Sequence, residues 1–199
     1  MGDRLYISAT FTSWQGSGHL IGMRQHFIRF AGCSLMTCHL RSVCDEPAAL
    51  TRKGAKAVDP ADLVEEALCA VGKRGWMHIT GGEPTDQPEG LQELVRRARL
   101  AGLYVHVQTN GMRRMPVQWD WLTCSPKVDE PLQTFGQELI VVDDGTITIE
   151  RLRYLEASTK YWCYYLQPVE GGDLSRTTAL AEQSGWMLTC QMHKVLGVR

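Results

Sequence analysis

The chain has 199 residues, of which 44% are hydrophobic, and its 21 basic and 22 acidic side chains give a formal net charge of -1. This apolar content suffices for a sizeable core, and we expect residues 1–199 to form a single domain. A balanced charge excludes a surface that coats nucleic acid, which needs a clear basic excess. No run of about eighteen apolar residues indicates a membrane span. The first residues lack the apolar core of a signal peptide, so we expect a cytoplasmic protein without nucleic-acid or membrane partners.

Short apolar runs typical of strands alternate along the chain with amphipathic runs typical of helices. In chain order, the strands are predicted at 26–30, 76–80, 103–108, 121–124, 138–142 and 162–167, with 186–192 as a seventh candidate. The first helix has Asp59 as its N-cap and Pro60 as its first residue, and it continues to Val71. Further helices are predicted at 89–101, 147–157 and 174–184. This alternation predicts an α/β fold with a largely parallel sheet and right-handed crossovers.

Polar residues and glycines follow four of the predicted strands at the point where each strand ends. They are Thr80-Gly81-Gly82-Glu83-Pro84, Gln108-Thr109-Asn110-Gly111, Ser125-Pro126-Lys127 and Gln167-Pro168. Because the carboxyl ends of parallel strands meet at one edge, we expect these side chains to share one rim. The sequence therefore predicts a polar site at the mouth of a barrel or sheet.

Three of the seven cysteines, Cys33, Cys38 and Cys44, fall within twelve positions. Three is an odd number, and a reducing compartment disfavours disulfides. Zinc is one alternative, with His39 as a fourth ligand. A [4Fe–4S] cluster is another, and with only three thiolates it leaves one iron open to bind something else. The remaining cysteines have apolar neighbours and are predicted to be small buried side chains: Cys69, Cys124, Cys163 and Cys190.

The cysteine group followed by the Gly81–Pro84 sequence resembles the radical S-adenosylmethionine superfamily. Within that superfamily, nearly the whole chain resembles the 7-carboxy-7-deazaguanine synthase family. The similar stretches are residues 7–33, HITGGEPTDQ, QTNG, CSPK, YYLQPVEGG and the closing WMLTCQMHKVLGVR. The opening and closing stretches are specific to this family, whereas GGEP belongs to the wider superfamily.

The resemblance implies an incomplete, TIM-like barrel of the radical S-adenosylmethionine type, with about six strands and an N-terminal hairpin, in a homodimer. It implies a [4Fe–4S] cluster held by the three cysteines, S-adenosylmethionine as cofactor, a magnesium ion, and a flavodoxin-like or other electron donor. The implied enzyme is a carbon–nitrogen lyase. It converts 6-carboxy-5,6,7,8-tetrahydropterin to 7-carboxy-7-deazaguanine with loss of ammonia, a step toward queuosine and other 7-deazapurines.

The same resemblance assigns residues to each ligand. For S-adenosylmethionine they are Gly81, Gly82 and Glu83 near its amino group, Ser125 and Lys127 near its ribose and carboxylate, and Gln167 near its adenine. For the pterin they are Gln15, Arg29, Thr80, His193 and Arg199, whose terminal carboxylate can reach the substrate. Arg29 lies inside an apolar strand, where a guanidinium needs a partner, and its planar fork matches a carboxylate.

The chain departs from the family pattern at four places. The cysteine spacing is C-x4-C-x5-C instead of C-x3-C-x2-C. Glu46 replaces the threonine or serine that binds magnesium, and a carboxylate could still serve as a ligand. Ser17 replaces a glutamate expected to pair with the pterin, and Gln108 replaces another glutamate. Two alternatives therefore remain: a related radical enzyme for another pterin or purine, and a non-catalytic iron–sulfur or zinc protein on the same fold.

Overall fold

The computed structural model describes residues 4–198. Nine strands form one open sheet in the order β3-β1-β2-β4-β5-β6-β7-β8-β9. The strands are β1 Leu5–Trp14, β2 Arg24–Phe30, β3 Lys56–Val58, β4 Trp76–Gly81, β5 Tyr104–Thr109, β6 Trp121–Cys124, β7 Phe135–Asp143, β8 Lys160–Pro168 and β9 Met187–Leu188. The α-helices are α1 Pro60–Val71, α2 Pro88–Leu100, α3 Ile149–Ser158, α4 Leu174–Ser184 and α5 Met192–Val195.

Strands β2 and β4 to β8 form the parallel part of the sheet, and each pairs with the next one in parallel. These six strands coincide with the six predicted from apolar runs, so the incomplete α/β barrel is confirmed. Strand β1 joins β2 as an antiparallel hairpin, and β3 pairs antiparallel with β1. The hairpin therefore extends the sheet beyond the parallel strands and leaves the barrel unclosed.

The predicted seventh strand at 186–192 is wrong for most of its length. Only Met187 and Leu188 pair with β8, and both side chains are exposed at the sheet edge. The Met192 amide then donates to the Gly16 carbonyl at 2.8 Å, and residues 192–195 form α5. This contact with the hairpin turns the chain away from the sheet.

The four predicted helices are present, and α1 begins as expected, with the Asp59 carboxylate accepting a hydrogen bond from the Ala61 amide at 2.8 Å. Cys69 is exposed, contrary to the prediction, because α1 buries Leu63, Val64 and Ala67 on its other face. Cys190 is also exposed, in the segment after β9, and Cys163 is half-buried. Cys124 is buried as predicted, and burial raises the pKa of its thiol to about 12.

The apolar core lies between the sheet and its helices. One cluster packs α1 and α2 on β2, β4 and β5, and a second cluster packs α3 and α4 on β7 and β8. Apolar side chains on the outer face of the strands pack against the helices. Polar side chains on the inward face of the same strands line the barrel interior. No helix within residues 4–198 has the length and apolarity that crossing a membrane requires.

Candidate functional site

A cavity of about 250 Å³ opens at the carboxyl ends of the parallel strands. Among the predicted site residues, those that line it are Gln15, Arg29, Cys33, Cys38, Cys44, Glu46, Thr80, Gly81, Gly82, Ser125, Lys127, Gln167 and His193. Ser17 and Gln108, which depart from the family pattern, line it as well. Of the other two predicted residues, Glu83 is fully buried and Arg199 lies outside the described residues. The four strand ends and the cysteine loop thus meet at one site.

The cysteine loop, residues 32–51, leaves the end of β2 and returns beside its own start. The Gly32 amide donates to the Ala49 carbonyl at 2.8 Å, and the Cys33 amide donates to the Leu50 carbonyl at 3.2 Å. A 3-10 turn at Arg41–Val43 takes up residues between Cys38 and Cys44. The long cysteine spacing is therefore accommodated by a local turn, with all three thiols on the cavity wall.

The three thiols have a polar and cationic environment. The Asn110 side-chain amide donates to Cys33 Sγ at 3.9 Å, while burial raises the pKa of the Cys33 thiol. Lys127 Nζ donates to the Ser125 carbonyl at 3.0 Å. Burial lowers the pKa of Lys127, and the nearby thiols of Cys38 and Cys44 partly oppose that change. Soft sulfur ligands suit an iron–sulfur cluster. Within residues 4–198, no three His, Cys, Asp or Glu side chains form a group that could hold a single metal ion.

The paired glycines after β4 bring two loops into close contact. Gly81 has φ of +110°, and a Cβ there would lie 2.4 Å from the backbone of Phe30. A Cβ on Gly82 would lie 2.1 Å from the Gly32 carbonyl oxygen. The Glu83 amide also donates to that carbonyl, at 2.9 Å. Only glycine permits this approach, so the pair fixes the loop after β4 against the start of the cysteine loop.

Glu83, which the resemblance places near the amino group of S-adenosylmethionine, forms several hydrogen bonds within the protein. Its carboxylate is fully buried. It accepts hydrogen bonds from the Thr85 amide and hydroxyl at 3.1 and 2.7 Å, from the Thr109 hydroxyl at 2.9 Å, and from the Asn110 amide at 2.8 Å. Burial raises its pKa, and these hydrogen bonds act in the opposite direction. The carboxylate thereby connects the loop after β4 to the loop after β5.

Arg29 forms an ion pair with Glu46 inside the cavity, and both side chains are half-buried. The guanidinium also lies over the Phe11 ring, 4.7 Å from its centroid. The predicted carboxylate anchor on β2 thus has a carboxylate partner within the chain. Glu46, predicted as a possible magnesium ligand, has this guanidinium as a partner.

Helix α5 closes one side of the cavity and contacts the cysteine loop. Lys194 Nζ lies 2.6 Å from carboxylate oxygens of both Asp45 and Glu170. His193 packs on Gly16 so closely that a Cβ there would lie 1.9 Å from His193 Nδ1. Burial and the Lys194 charge lower the pKa of His193. The hairpin, the cysteine loop and the C-terminal helix are therefore in contact with one another close to the His193 imidazole.

A buried polar layer below the cavity was missed by sequence reasoning. His106 Nε2 lies 2.8 Å from the Thr123 hydroxyl, which donates to Glu138 at 2.5 Å. His78 lines the cavity floor and stacks on His106 with 3.8 Å between ring centroids. Burial lowers the pKa of His106 to about 3 and raises the pKa of Glu138. The available signal was the position of these residues on the inward face of strands that otherwise appear apolar.

Comparison with known proteins places the chain among relatives that match it from end to end, although no protein-family model matches it. A 7-carboxy-7-deazaguanine synthase from Bacteroides thetaiotaomicron is 33% identical over 198 residues, covering 97% of this chain and 98% of the relative. One from Caulobacter vibrioides is 32% identical over 211 residues, covering 96% and 98%. The crystal structure of QueE from Escherichia coli shares the fold, with a TM-score of 0.70 at 19% identity over 96% of this chain and 95% of the other. The chain belongs to the 7-carboxy-7-deazaguanine synthase family.

Proposed function

We propose that this chain is a radical S-adenosylmethionine-dependent 7-carboxy-7-deazaguanine synthase. It acts on 6-carboxy-5,6,7,8-tetrahydropterin and releases ammonia, for the synthesis of queuosine and other 7-deazapurines. The observation that carries this proposal is the convergence of three cysteines with the four predicted strand-end loops on one cavity, in a chain of that family. The lyase activity follows from the carbon–nitrogen bond that must break when ammonia leaves.

We assign Cys33, Cys38 and Cys44 as the thiolate ligands of a [4Fe–4S] cluster. The shared cavity wall and the donor from Asn110 support this assignment, because hydrogen bonds to sulfur stabilise the thiolate form. When bound, such a cluster would supply the single electron that cleaves S-adenosylmethionine to methionine and the 5′-deoxyadenosyl radical. Backbone hydrogen bonds join the start of the cysteine loop to its end, and this closure restricts the positions of the three thiols.

Cofactor binding is proposed for the residues on the opposite side of the cavity. The Lys127 ammonium suits the carboxylate of S-adenosylmethionine, and the Ser125 hydroxyl beside it suits the ribose. Gln167 offers an amide donor and acceptor for the adenine ring. Gly81 and Gly82 expose backbone groups to the amino end of the cofactor. Glu83 is the third residue proposed near this amino end, and its carboxylate also connects the two loops.

Substrate binding is proposed for the half of the cavity formed by the β1–β2 hairpin. Arg29 is the anchor for the pterin carboxylate, with Gln15, Thr80 and His193 as polar contacts and Arg199 as the terminal contact that the family pattern implies. Aromatic side chains of Phe11, Trp14 and Phe27 line the same region and suit a flat heterocycle. Glu46 is the proposed ligand of a magnesium ion, which would compete for this carboxylate with the Arg29 guanidinium.

Ser17 supports one alternative substrate. It lines the cavity where a glutamate is expected to pair with pterin nitrogens, and a hydroxyl supplies neither the charge nor the second acceptor of a carboxylate. A related pterin or purine is therefore the second candidate. Zinc bound by the three thiols and His39 has less support, since the three cysteines line the cavity and His39 is not among its lining residues.

We also propose a homodimer that buries the aromatic surface at the N-terminal ends of β7 and β8. Trp162 is 75% exposed there and packs edge-on against Trp121, with Phe135 also exposed nearby along the sheet. Exposed aromatic side chains of this size are typical of protein interfaces. Sedimentation of the wild-type protein and of Trp162→Glu tests this assembly, and a monomeric wild type contradicts it.

Anaerobic reconstitution followed by incubation with substrate tests the function. The expected results are about four irons per chain, a spectral change on adding S-adenosylmethionine, and 7-carboxy-7-deazaguanine with ammonia when reductant and carboxytetrahydropterin are supplied. Deoxyadenosine without a deazaguanine product excludes the proposed substrate and favours another pterin or purine. Zinc in place of iron in anaerobically purified protein excludes the radical reaction itself.

A further inference from the structure

The floor of the catalytic cavity contains an imidazole whose two nitrogens are not used by the protein. His78 lies on β4, lines the cavity and is only 1% exposed. Within residues 4–198, neither its Nδ1 nor its Nε2 has a partner in hydrogen-bond geometry. A buried polar group without a partner costs free energy, and such groups are rare in native proteins. A ligand that enters the cavity can supply the missing hydrogen bond.

The imidazole stacked on His78 differs from it, because both of its nitrogens have partners within the protein. His106 Nδ1 lies 3.0 Å from Gln25 Oε1, and His106 Nε2 lies 2.8 Å from the Thr123 hydroxyl. The two imidazole rings stack with 3.8 Å between their centroids, and the Phe27 ring contacts His78 with 4.7 Å between centroids. His78 is therefore held in place by ring packing, which leaves its nitrogens for a ligand.

The surroundings of His78 favour its neutral form. Burial lowers its pKa well below the usual value, and His106 and Arg29 act in the same direction. The Gln108 side chain, which lies near the ring, partly opposes this change. A neutral imidazole has one N–H donor and one acceptor nitrogen, whereas a protonated imidazole has no acceptor. His78 therefore provides a hydrogen-bond acceptor on the cavity floor.

An acceptor is needed because carboxylates that could bind the N–H groups of a heterocycle are scarce in this cavity. Ser17 and Gln108 stand where the family pattern has glutamates. Among residues 4–198, the carboxylates that line the cavity each pair with a cation: Asp45 with Lys194, and Glu46 with Arg29. A neutral acceptor such as His78 can take over a contact that a carboxylate would otherwise make.

His78 lies deeper in the barrel than the proposed anchor for the substrate carboxylate. In the register of β2 and β4, Arg29 pairs with Thr80 and Phe27 pairs with His78. Two residues along a strand correspond to about 7 Å. The carboxylate of the pterin and its cyclic amide belong to different rings of the bicycle. A pterin whose carboxylate binds Arg29 can therefore direct its cyclic amide toward the floor.

We propose that His78 is a specificity-determining residue whose acceptor nitrogen binds the N–H of the substrate's cyclic amide. The inference rests on the proposed function, because it takes a pterin anchored at Arg29 as the ligand. The hydrogen bond orients the heterocycle and selects rings that carry a donor at this position. No proton is transferred, since the imidazole and the cyclic amide both remain neutral.

Two ligands and two proteins test this contact. The ligands are carboxytetrahydropterin and its 3-deaza analogue, which has a C–H in place of the N–H of the cyclic amide. Anaerobic calorimetry measures their dissociation constants for the reconstituted protein. Wild type should bind the pterin about tenfold more tightly than the analogue, because the analogue leaves His78 without a donor. His78→Phe keeps the ring packing and should bind the two ligands within about twofold of each other. Its iron content and its affinity for S-adenosylmethionine should match those of wild type.

His26→Phe is the matched control, because His26 is equally buried but does not line the cavity, and this variant should keep the wild-type preference. His78→Gln retains an acceptor and should keep more of the preference than His78→Phe does, which a purely structural role would not produce.

The same preference in wild type and in both His78 variants would overturn the inference, as would a wild type that forms deazaguanine but binds both ligands equally. A loss of S-adenosylmethionine affinity in both His78 variants, with the preference unchanged, would place His78 against the cofactor instead. A wild type that shows the preference but forms no deazaguanine on reduction contradicts the proposed function and leaves the contact with His78 standing.

Discussion

The Arg29 guanidinium and the Glu46 carboxylate form an ion pair within the catalytic cavity. Arg29 belongs to β2 and Glu46 follows the last cysteine of the cluster loop, so this pair connects the substrate half of the cavity to the cofactor half. A substrate carboxylate that binds Arg29 must share the guanidinium with Glu46 or displace it. If Arg29 binds the substrate as proposed, we expect Glu46 to affect substrate affinity even without touching the substrate.

Replacing Glu46 by Gln removes the competing anion and should tighten substrate binding. A half-buried pair of this kind contributes at most about 1 kcal/mol, which corresponds to a roughly two- to fivefold lower dissociation constant. Replacing Arg29 by Met should weaken binding about 10- to 100-fold, because a hydrogen-bonded charge is lost. Equilibrium binding of carboxytetrahydropterin to the anaerobic protein measures both. Weaker binding by Glu46→Gln would instead indicate that Glu46 contacts the substrate or a cation bound to it.

Replacing any one of Cys33, Cys38 and Cys44 by Ala should abolish cluster assembly, since each thiolate is proposed to hold a different iron. Iron and sulfide content after anaerobic reconstitution, together with the visible absorption spectrum, measures the loss. Cys69→Ala is the matched control, because Cys69 is exposed on α1, away from the cavity, and its removal should leave the iron content unchanged. An intact cluster in Cys38→Ala would show that this residue is not a ligand.

Replacing Glu83 by Ala should mainly destabilise the fold. The substitution leaves two backbone amides and two hydroxyls without their buried acceptor, and we expect a loss of about 3 kcal/mol or more in the free energy of unfolding. Urea unfolding under anaerobic conditions measures it, and exposed Glu130→Ala should change stability by less than about 0.5 kcal/mol. Unchanged stability with a large loss of S-adenosylmethionine affinity would place Glu83 in the binding surface instead.

The buried imidazole of His106 should make the protein less stable in acid. Burial lowers its pKa from 6.5 to about 3, so between these values the unfolded chain binds a proton that the folded chain does not. The stabilising effect is complete above pH 6.5 and is lost as the pH falls toward 3. Between pH 6.5 and pH 5 we expect this difference in proton binding to lower the free energy of unfolding by about 2 kcal/mol.

The contribution of His106 to the pH dependence of stability is measured by comparing the wild type with a His106 variant. Burial raises the pKa of Glu138, and this carboxyl acts with the opposite sign, gaining stability as the pH falls. Urea unfolding of wild type and His106→Asn at pH 7.5 and pH 5 separates the two contributions. The variant should be less stable at pH 7.5, and its stability should decline less on acidification. A parallel decline in both proteins would mean that His106 takes up a proton in the folded state.

The six parallel strands could be predicted because each contains a short, mostly apolar run and is buried by helices on one side. β1 shows no comparable run, since Ser8, Thr10 and Thr12 interrupt its apolar residues, and only its likeness to the family's hairpin indicated it. The cavity residues could be predicted from the polar side chains and glycines directly after each strand. The Arg29–Glu46 ion pair and the buried position of the Glu83 carboxylate could not be predicted. Both depend on the path of loops whose closure is set by contacts distant in sequence.

Gly16 controls the position of His193, and replacing it by Ala should impair catalysis through that imidazole. The added methyl group would lie 1.9 Å from His193 Nδ1, so the imidazole has to move out of its place beside the cavity. We expect about a 10-fold or greater fall in kcat/KM for the pterin, with unchanged cluster content and unchanged affinity for S-adenosylmethionine.

A double-mutant cycle with His193→Ala separates this effect from damage to the hairpin. If Gly16→Ala acts by displacing His193, it should reduce kcat/KM little further once the imidazole is absent, because there is no longer a ring to displace. Steady-state rates of the four proteins under anaerobic conditions measure the coupling. Additive losses would mean that Gly16→Ala disturbs Gln15 and Ser17 of the same turn, and that His193 contributes independently of how closely it packs on the hairpin.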